Sequence, residues 1–145
     1  MNVASKEHRA KLVQLIKEKY GKLDVLVPNV ASSTHLGDLM AISERAYDKM
    51  WDINTKSTFF LIAETISLLR LAGPGANICI ISSVTGALPN RMIGVYGSTK
   101  AALENMIKWM KDEFRSDGIR VNGIAPGLIK TEFSGPLWQN DSVPK

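Results

Sequence analysis

The strongest constraint on the fold is an alternation along the chain. Short runs rich in β-branched apolar residues are separated by longer segments of helical periodicity. The apolar runs predict three strands, at Leu23–Val27, Asn77–Ile81 and Ile119–Ala125. Nearly continuous apolar runs are typical of parallel strands that are covered by helices. The pattern therefore predicts an α/β fold with a parallel sheet of about three strands flanked by helices.

Three helices are predicted before and between these strands. Ser5 is a suitable N-cap for the first helix, and Gly21 suits the position just after its last turn. A long second helix is predicted over Ser43–Arg70, with Ser43 as its cap, and a third over Tyr96–Arg115. Because the strands are parallel, their carboxyl ends lie at one edge of the sheet, where ligands of such folds bind. We therefore expect the chemistry at that edge.

Composition excludes several classes of protein. The 145 residues, 45% of them apolar, suffice for one globular domain and argue against disorder. No apolar run approaches the ~20 residues that span a bilayer, and the lone Cys79 excludes an internal disulfide framework or a cysteine-based zinc site. A formal charge of +4, with basic residues scattered among acidic ones, disfavours nucleic-acid binding. Without an export-signal pattern, we expect a cytoplasmic protein, with a peroxisomal location as the alternative for a longer form.

Tyr96 and Lys100 are the first candidates for catalysis. They are four residues apart on a predicted helix and therefore share one face. A free tyrosine, with a pKa of ~10, is a poor acid–base group near neutral pH, and a nearby ammonium would lower that pKa. Such a tyrosine can donate a proton to a carbonyl oxygen or take one from an alcohol. The alternative is a tyrosine that anchors the helix and a lysine in solvent.

Ser83 and Asn54 extend this candidate site. Ser83 ends the middle strand thirteen residues before Tyr96, so the connecting loop can fold back and bring its hydroxyl beside the phenol. Ser82 is the alternative candidate next to it. The purely structural alternative is that the Ser83 hydroxyl only satisfies backbone groups at the end of the strand. Asn54 lies inside a predicted helix, where asparagine is unfavourable. It either has a specific hydrogen-bonding role or marks an irregularity of the helix.

Five segments, in order, carry a resemblance to a known family. Asp24–Ala31 resembles the Asn-Asn-Ala-Gly segment of short-chain dehydrogenases/reductases, and Tyr96–Lys100 resembles their Tyr-x-x-x-Lys motif. Asn54 and Ser83 match the helix asparagine and the catalytic serine of that family, and Pro126–Thr131 resembles its Pro-Gly-x-x-x-Thr cofactor loop. Within the family, the chain looks most like the NADP(H)-dependent carbonyl/retinal reductases called dehydrogenase/reductase member four.

The resemblance implies a role for each matched residue. Tyr96 would be the proton donor or acceptor, Lys100 would lower its pKa and bind the nicotinamide ribose, Ser83 would polarise the substrate carbonyl, and Asn54 would hold a water that relays protons to Lys100. The following residues would bind the cofactor together with Tyr96 and Lys100: Asn29, Ala31, Pro126, Gly127, Ile129 and Thr131.

The resemblance also implies the cofactor and the partners. The cofactor would be NADP(H), with NAD(H) as the alternative, and no metal would take part. The substrate would be a small ketone, aldehyde or alcohol, and no nucleic acid or membrane would be bound. Family members pair through the two long helices, Ser43–Arg70 and Tyr96–Arg115, so we expect a homo-oligomer.

The chain departs from the family in what it lacks. No glycine-rich strand-turn-helix for the pyrophosphate precedes the first predicted strand. Residues 1–145 are therefore expected to form a partial Rossmann-type domain, truncated at both ends, with an open apolar edge at Leu23–Val27. We expect weak cofactor binding and a chain that is marginally stable or associates. The alternative to an enzyme is a catalytically inactive family member that acts as an interaction protein.

Overall fold

The computed structural model describes residues 2–139 and contains the predicted parallel sheet. The strands are β1 (Val25–Leu26), β2 (Asn77–Ile81) and β3 (Arg120–Ile124), in that spatial order. Both pairings are parallel, with Ile78 of the central strand between Leu26 and Val121. The predicted α/β class, a partial Rossmann-like sheet of three strands with flanking helices, is confirmed.

The first strand is shorter and more exposed than its sequence predicts. Only Val25 and Leu26 form ladder pairs, although Leu23–Val27 reads as one apolar strand. Leu26 is buried, whereas Val25 and Val27 are 53% and 52% exposed. The reason is that, within residues 2–139, β1 pairs with a strand on one side only. An apolar strand with one unpaired edge is a surface prone to association.

The helices follow the predicted order. The first begins after Ser5, whose hydroxyl accepts a hydrogen bond from the His8 amide, and it ends at Gly21, whose φ of 70° is the left-handed conformation that glycine adopts readily. The helices are α1 (Lys6–Tyr20), α2 (Glu44–Trp51), α3 (Ser57–Ala72), α4 (Gly94–Glu113) and α5 (Gly135–Trp138), and short 3₁₀ turns cover Leu39–Ala41 and Val84–Gly86. None of the helices in the described range is long and apolar enough to cross a membrane.

The long helix predicted from Ser43 to Arg70 is interrupted. Between α2 and α3 lies one π-helical turn, Asp52–Lys56. Just after it, Thr58 Oγ1 donates to the Asn54 carbonyl at 2.8 Å, a local bond of the kind that competes with regular helix bonding. A π turn inside an α-helix is frequently found at a functional site. Here it contains Asn54.

The core lies between the sheet and helices α3 and α4. It contains the inward-facing residues of all three strands, the apolar stripes of both helices and three residues that directly adjoin these elements, Ala76, Phe114 and Ile119. The members within the elements are Leu26, Leu61, Ile62, Leu69, Ile78, Ile80, Leu103, Met106, Met110 and Val121. Helix α1 docks on α3 through the buried Arg9, which makes two hydrogen bonds with the Glu64 carboxylate, at 3.0 and 3.1 Å. Since α4 is held against the sheet by this core, its first turns lie beside the carboxyl ends of the strands.

Candidate active site

The carboxyl ends of the strands are joined by hydrogen bonds that continue past the ladder. The amide of Ile81 donates to Pro28 O at 3.1 Å, and the amide of Val84 donates to Pro126 O at 3.0 Å. These bonds hold three loops side by side: the one after β1, the one after β2 and the one after β3. The predicted site residues of all three loops therefore share one edge of the sheet, next to the first turns of α4.

Tyr96 lies in the first turn of α4 and is largely buried. Its ring is 6.0 Å from the ring of Phe133, at an angle of 49°, so part of its cover comes from the segment after β3. Burial raises the pKa of Tyr96, and a hydrogen bond with the Ser83 hydroxyl lowers it by less. The phenol therefore remains protonated at neutral pH and is suited to donate a proton.

Ser83 and Ser82 are held in different ways. The Ser82 hydroxyl is buried and donates towards Lys100 O at 3.2 Å and Glu104 Oε1 at 3.1 Å, so its bonds are all to helix α4. The Ser83 hydroxyl instead accepts bonds from the amide and the hydroxyl of Thr85, at 3.2 and 2.9 Å, and contacts the Tyr96 phenol. Of the two serines, Ser83 is the one beside the candidate acid.

The Lys100 ammonium is directed at backbone carbonyls and not at the Tyr96 phenol, although the spacing of four residues places both side chains on one face of α4. Its side chain is 1% exposed, and Nζ donates to Val30 O at 3.0 Å and to Ile81 O at 3.1 Å. The ammonium is 5.6 Å from the centroid of the Tyr96 ring. The prediction that Lys100 brings the pKa of Tyr96 below its usual value is wrong for this geometry, because burial of the phenol dominates. Burial also lowers the pKa of Lys100, to about 8.

Asn54 is fully buried in the π turn and connects two parts of the site. Its Oδ1 accepts from the amide of Ser32 at 2.6 Å, and its Nδ2 donates to Ser32 O and to Thr99 Oγ1, both at 2.9 Å. The irregularity and the hydrogen-bonding role, which the sequence left as alternatives, therefore occur together. The role of Asn54 in holding a relay water stays a prediction.

The predicted cofactor residues of the loops border the same edge. Pro126 is half-buried, and the others are exposed: Asn29, Ala31, Gly127, Ile129 and Thr131. An exposed rim beside a buried acid is compatible with a bound cofactor. The Lys100 ammonium has three N–H groups and uses two of them on backbone carbonyls, so one remains for a ribose hydroxyl. No group of three or more metal-ligating side chains is found within the described residues.

Two residues that sequence reasoning missed hold the site together. Thr99 is fully buried, and its hydroxyl donates to Tyr96 O at 2.6 Å while it accepts from Asn54. At Gly97, a Cβ would stand 2.7 Å from Thr85 O, so only glycine allows the Ser83 loop to lie this close to α4. A threonine and a glycine inside a helix, both poor helix formers, were the available signal.

The family model described as short chain dehydrogenase matches residues 1–142. The chain belongs to the short-chain dehydrogenase/reductase family. Members of this family are oxidoreductases that use nicotinamide cofactors and act on small molecules.

Curated members of the family match nearly the whole chain. It is 34% identical to Tropinone reductase-like 3 of Erythroxylum coca, over 98% of this chain and 54% of the relative. It is 35% identical to Dehydrogenase/reductase SDR family member 4 of Bos taurus, over 96% of this chain and 50% of the relative. The chain therefore spans about half the length of the curated relatives it matches.

Solved structures superpose closely on this fold. ElxO with NADP bound aligns with a TM-score of 0.86 and 31% identity, covering 97% of this chain and 58% of that one. Other similar structures hold NAD instead. The nicotinamide class of cofactor is therefore shared among these proteins, while the choice between its two forms differs from one to another.

Proposed function

We propose that the chain supplies the acid–base half of an NADP(H)-dependent oxidoreductase that interconverts a ketone or aldehyde and an alcohol. The observation that carries the proposal is the burial of Tyr96 in the first turn of α4, beside the carboxyl ends of the strands, with the Lys100 ammonium 5.6 Å from its ring. Ser83, at the end of the central strand, acts on the same phenol by lowering its pKa. A buried phenol and a neighbouring hydroxyl can together hydrogen-bond one substrate oxygen. NADP(H) is favoured over NAD(H) because ElxO, which was solved with NADP, is 31% identical to this chain, whereas the similar structures that hold NAD are 22% and 25% identical.

The residues would divide the reaction as follows. A bound nicotinamide would supply or accept the hydride. In the reductive direction, Ser83 would donate a hydrogen bond to the carbonyl oxygen, and Tyr96 would give that oxygen its proton. Lys100 would hold the ribose with its remaining N–H. The rim residues named above would lie against the cofactor: Asn29, Ala31, Pro126, Gly127, Ile129 and Thr131.

The direction of the pKa shifts favours reduction. Burial keeps Tyr96 protonated, ready to donate, and makes the Lys100 ammonium the stronger acid of the two, with a pKa of about 8. After Tyr96 has given up its proton, transfer from Lys100 towards the phenolate is therefore downhill. Oxidation of an alcohol would instead need the phenolate at the start, which the raised pKa opposes.

A single substitution tests the assignment of the acid. We expect the purified chain, supplied with a millimolar coenzyme and a panel of small aldehydes and ketones, to oxidise NADPH faster than NADH, followed at 340 nm. Tyr96→Phe removes the proton donor and should lower the rate by at least ~100-fold, in line with the usual contribution of general acid catalysis. Tyr47→Phe, at an exposed tyrosine on α2, is the matched control and should leave the rate unchanged. Equal rates for Tyr96→Phe and the wild type would remove Tyr96 from the mechanism.

A second function, self-association, is favoured by a different surface. An open groove on α2, the π turn, α3 and α4 is lined by Trp51, Asp52, Thr55, Lys56, Phe59, Phe60 and Met106. Trp51 Nε1 is buried beside it and has no hydrogen-bond partner within the described residues. Lys56 and Asp52 form an ion pair on the same surface. In a symmetric pair of chains, Lys56 of one copy could therefore face Asp52 of the other.

We propose that this groove is covered by a second copy of the chain, as the pairing through long helices in the family implies. Phe59→Glu should shift the chain to monomer in sedimentation velocity, because a carboxylate would be buried in the interface. Leu88→Glu, at an exposed residue that does not line the groove, is the control and should leave the sedimentation of the chain unchanged. A wild-type chain that forms a dimer but oxidises neither NADPH nor NADH would favour the alternative function, that of a catalytically inactive interaction protein. A wild-type chain that is monomeric at all concentrations would reject the groove as an interface.

A further inference from the structure

Thr99 stands between the two candidate catalytic residues of α4 and contributes little to the helix itself. Threonine is a poor residue for a helix interior because its β-branch restricts the side chain. Thr99 is nevertheless fully buried, and both hydrogen-bonding functions of its hydroxyl are used. It donates to Tyr96 O at 2.6 Å and accepts from Asn54 Nδ2 at 2.9 Å.

The direction of each bond in this network is determined by its neighbours. The side-chain carboxamide of Asn54 faces both backbone groups of Ser32. The backbone N–H of Ser32 donates to Asn54 Oδ1, and the backbone carbonyl of Ser32 accepts from Asn54 Nδ2. The amide therefore cannot be turned over, and its second N–H goes to Thr99. Because Thr99 Oγ1 accepts that bond, its own hydrogen is left for Tyr96 O. The network runs in one direction, from Asn54 through Thr99 to the backbone of Tyr96.

The same network reaches the loop after β1, which contains Asn29 and Ala31. Helix α4 holds this loop at two points. Lys100 Nζ binds Val30 O directly at 3.0 Å, and Thr99 binds Ser32 by way of Asn54. The loop residues that would hold the cofactor and the Tyr96 phenol that would act on the substrate need a fixed separation, because catalysis is sensitive to misplacement on the ångström scale.

We infer that Thr99 is a positioning residue of the site, whose hydroxyl fixes the loop at Val30–Ser32 relative to the phenol-bearing turn of α4. The role in catalysis rests on the function proposed above, but the mechanical coupling does not. Thr99 is fully buried, so it does not touch substrate and acts only through Asn54 and Tyr96. Thr99 thereby joins the site at a position that the Tyr-x-x-x-Lys motif leaves open.

Two variants isolate the hydroxyl in the full chain. Thr99→Ser keeps the hydroxyl, and Thr99→Ala removes it; both lack the methyl group, so their difference reports the hydroxyl alone. Alanine is the better helix former, so loss of folding is not expected. The first readout is hydrogen exchange of the Ser32 amide, which is two hydrogen bonds away from the substitution. The second is NADPH affinity from its fluorescence.

We expect Ser32 exchange to accelerate roughly tenfold or more in Thr99→Ala, as for loss of a buried hydrogen bond, and to stay near the wild-type rate in Thr99→Ser. NADPH affinity should follow the same order. Equal Ser32 exchange in the two variants, once corrected for global stability, would overturn the inference. A wild-type chain that binds neither coenzyme would contradict the proposed function, while the Ser32 comparison would still decide the role of Thr99.

Discussion

The buried ammonium of Lys100 makes the stability of the fold depend on pH in a defined direction. Its side chain is 1% exposed, and its pKa falls from 10.5 to about 8 on burial. Between these two values the unfolded chain binds more protons than the folded one. The free energy of unfolding must therefore rise as the pH rises through this window. Lys100→Met, which keeps the length of the side chain without the charge, removes this dependence.

The magnitude follows from the two pKa values. At pH 7 the lysine is charged in both states, so the folded chain bears nearly the full cost of desolvating it; at pH 9.5 the folded lysine is mostly neutral, and more than half of that cost has gone. Integrating the linkage between these limits gives a gain of about 2 kcal/mol for the wild type relative to Lys100→Met. The variant also leaves Val30 O and Ile81 O without a donor, but this cost is the same at every pH and cancels from the difference.

Urea unfolding, followed by tryptophan fluorescence at several pH values from 7 to 9.5, measures this difference. The upper limit stays below the range in which Tyr96, with its raised pKa, begins to contribute. Lys108→Met, at an exposed lysine of the same helix, is the control and should track the wild type at every pH. If wild type and Lys100→Met differ by a constant amount over the whole range, the ammonium is not desolvated as described.

Two further substitutions test how the site is supported. Gly97→Ala places a methyl group 2.7 Å from Thr85 O. The free energy of unfolding should fall, because the overpacking costs about 1–3 kcal/mol and helix propensity returns only ~1 kcal/mol. Gly127→Ala, whose added methyl would have nothing within 4 Å, is the control and should unfold at the wild-type urea concentration. Arg9→Met should lower the free energy of unfolding by about 2 kcal/mol, because it leaves the partly buried Glu64 carboxylate unpaired. Adding Glu64→Gln should recover part of that loss, and a double variant no more stable than Arg9→Met would contradict the pairing.

Local sequence signals were sufficient for most of the fold. The run Asn77–Ile81 is observed as a strand with the bounds its apolar residues predict, and Ser5 and Gly21 bound α1 as expected. These features depend on a few neighbouring residues, so a single sequence contains them. The edge of the sheet at which the candidate residues meet was also predictable, because it follows from parallel strands alone.

The remaining features depend on contacts between distant segments. The break in the second helix at Asn54 requires partners 22 and 45 positions away, Ser32 and Thr99. The spacing of Tyr96 and Lys100 places them on one face but does not determine where the ammonium points. That depends on the carbonyl of Val30, which lies 70 positions away. Burial of the phenol, which reverses the expected pKa shift, is likewise a property of the packed structure.

The π turn at Asp52–Lys56 has a consequence for how the chain tolerates changes in length. A π turn holds one residue more than the α-helical path needs, so deleting one residue there would let α2 and α3 run on as a regular helix. The apolar stripe of α3 would then keep its place against the core, because the extra residue is absorbed within the turn itself. What would be lost is the local backbone that presents Asn54 to Ser32 and Thr99. A single-codon loss at this point should therefore damage the candidate site more than the fold, whereas the same loss in a regular stretch of α3 would turn everything beyond it by about 100°.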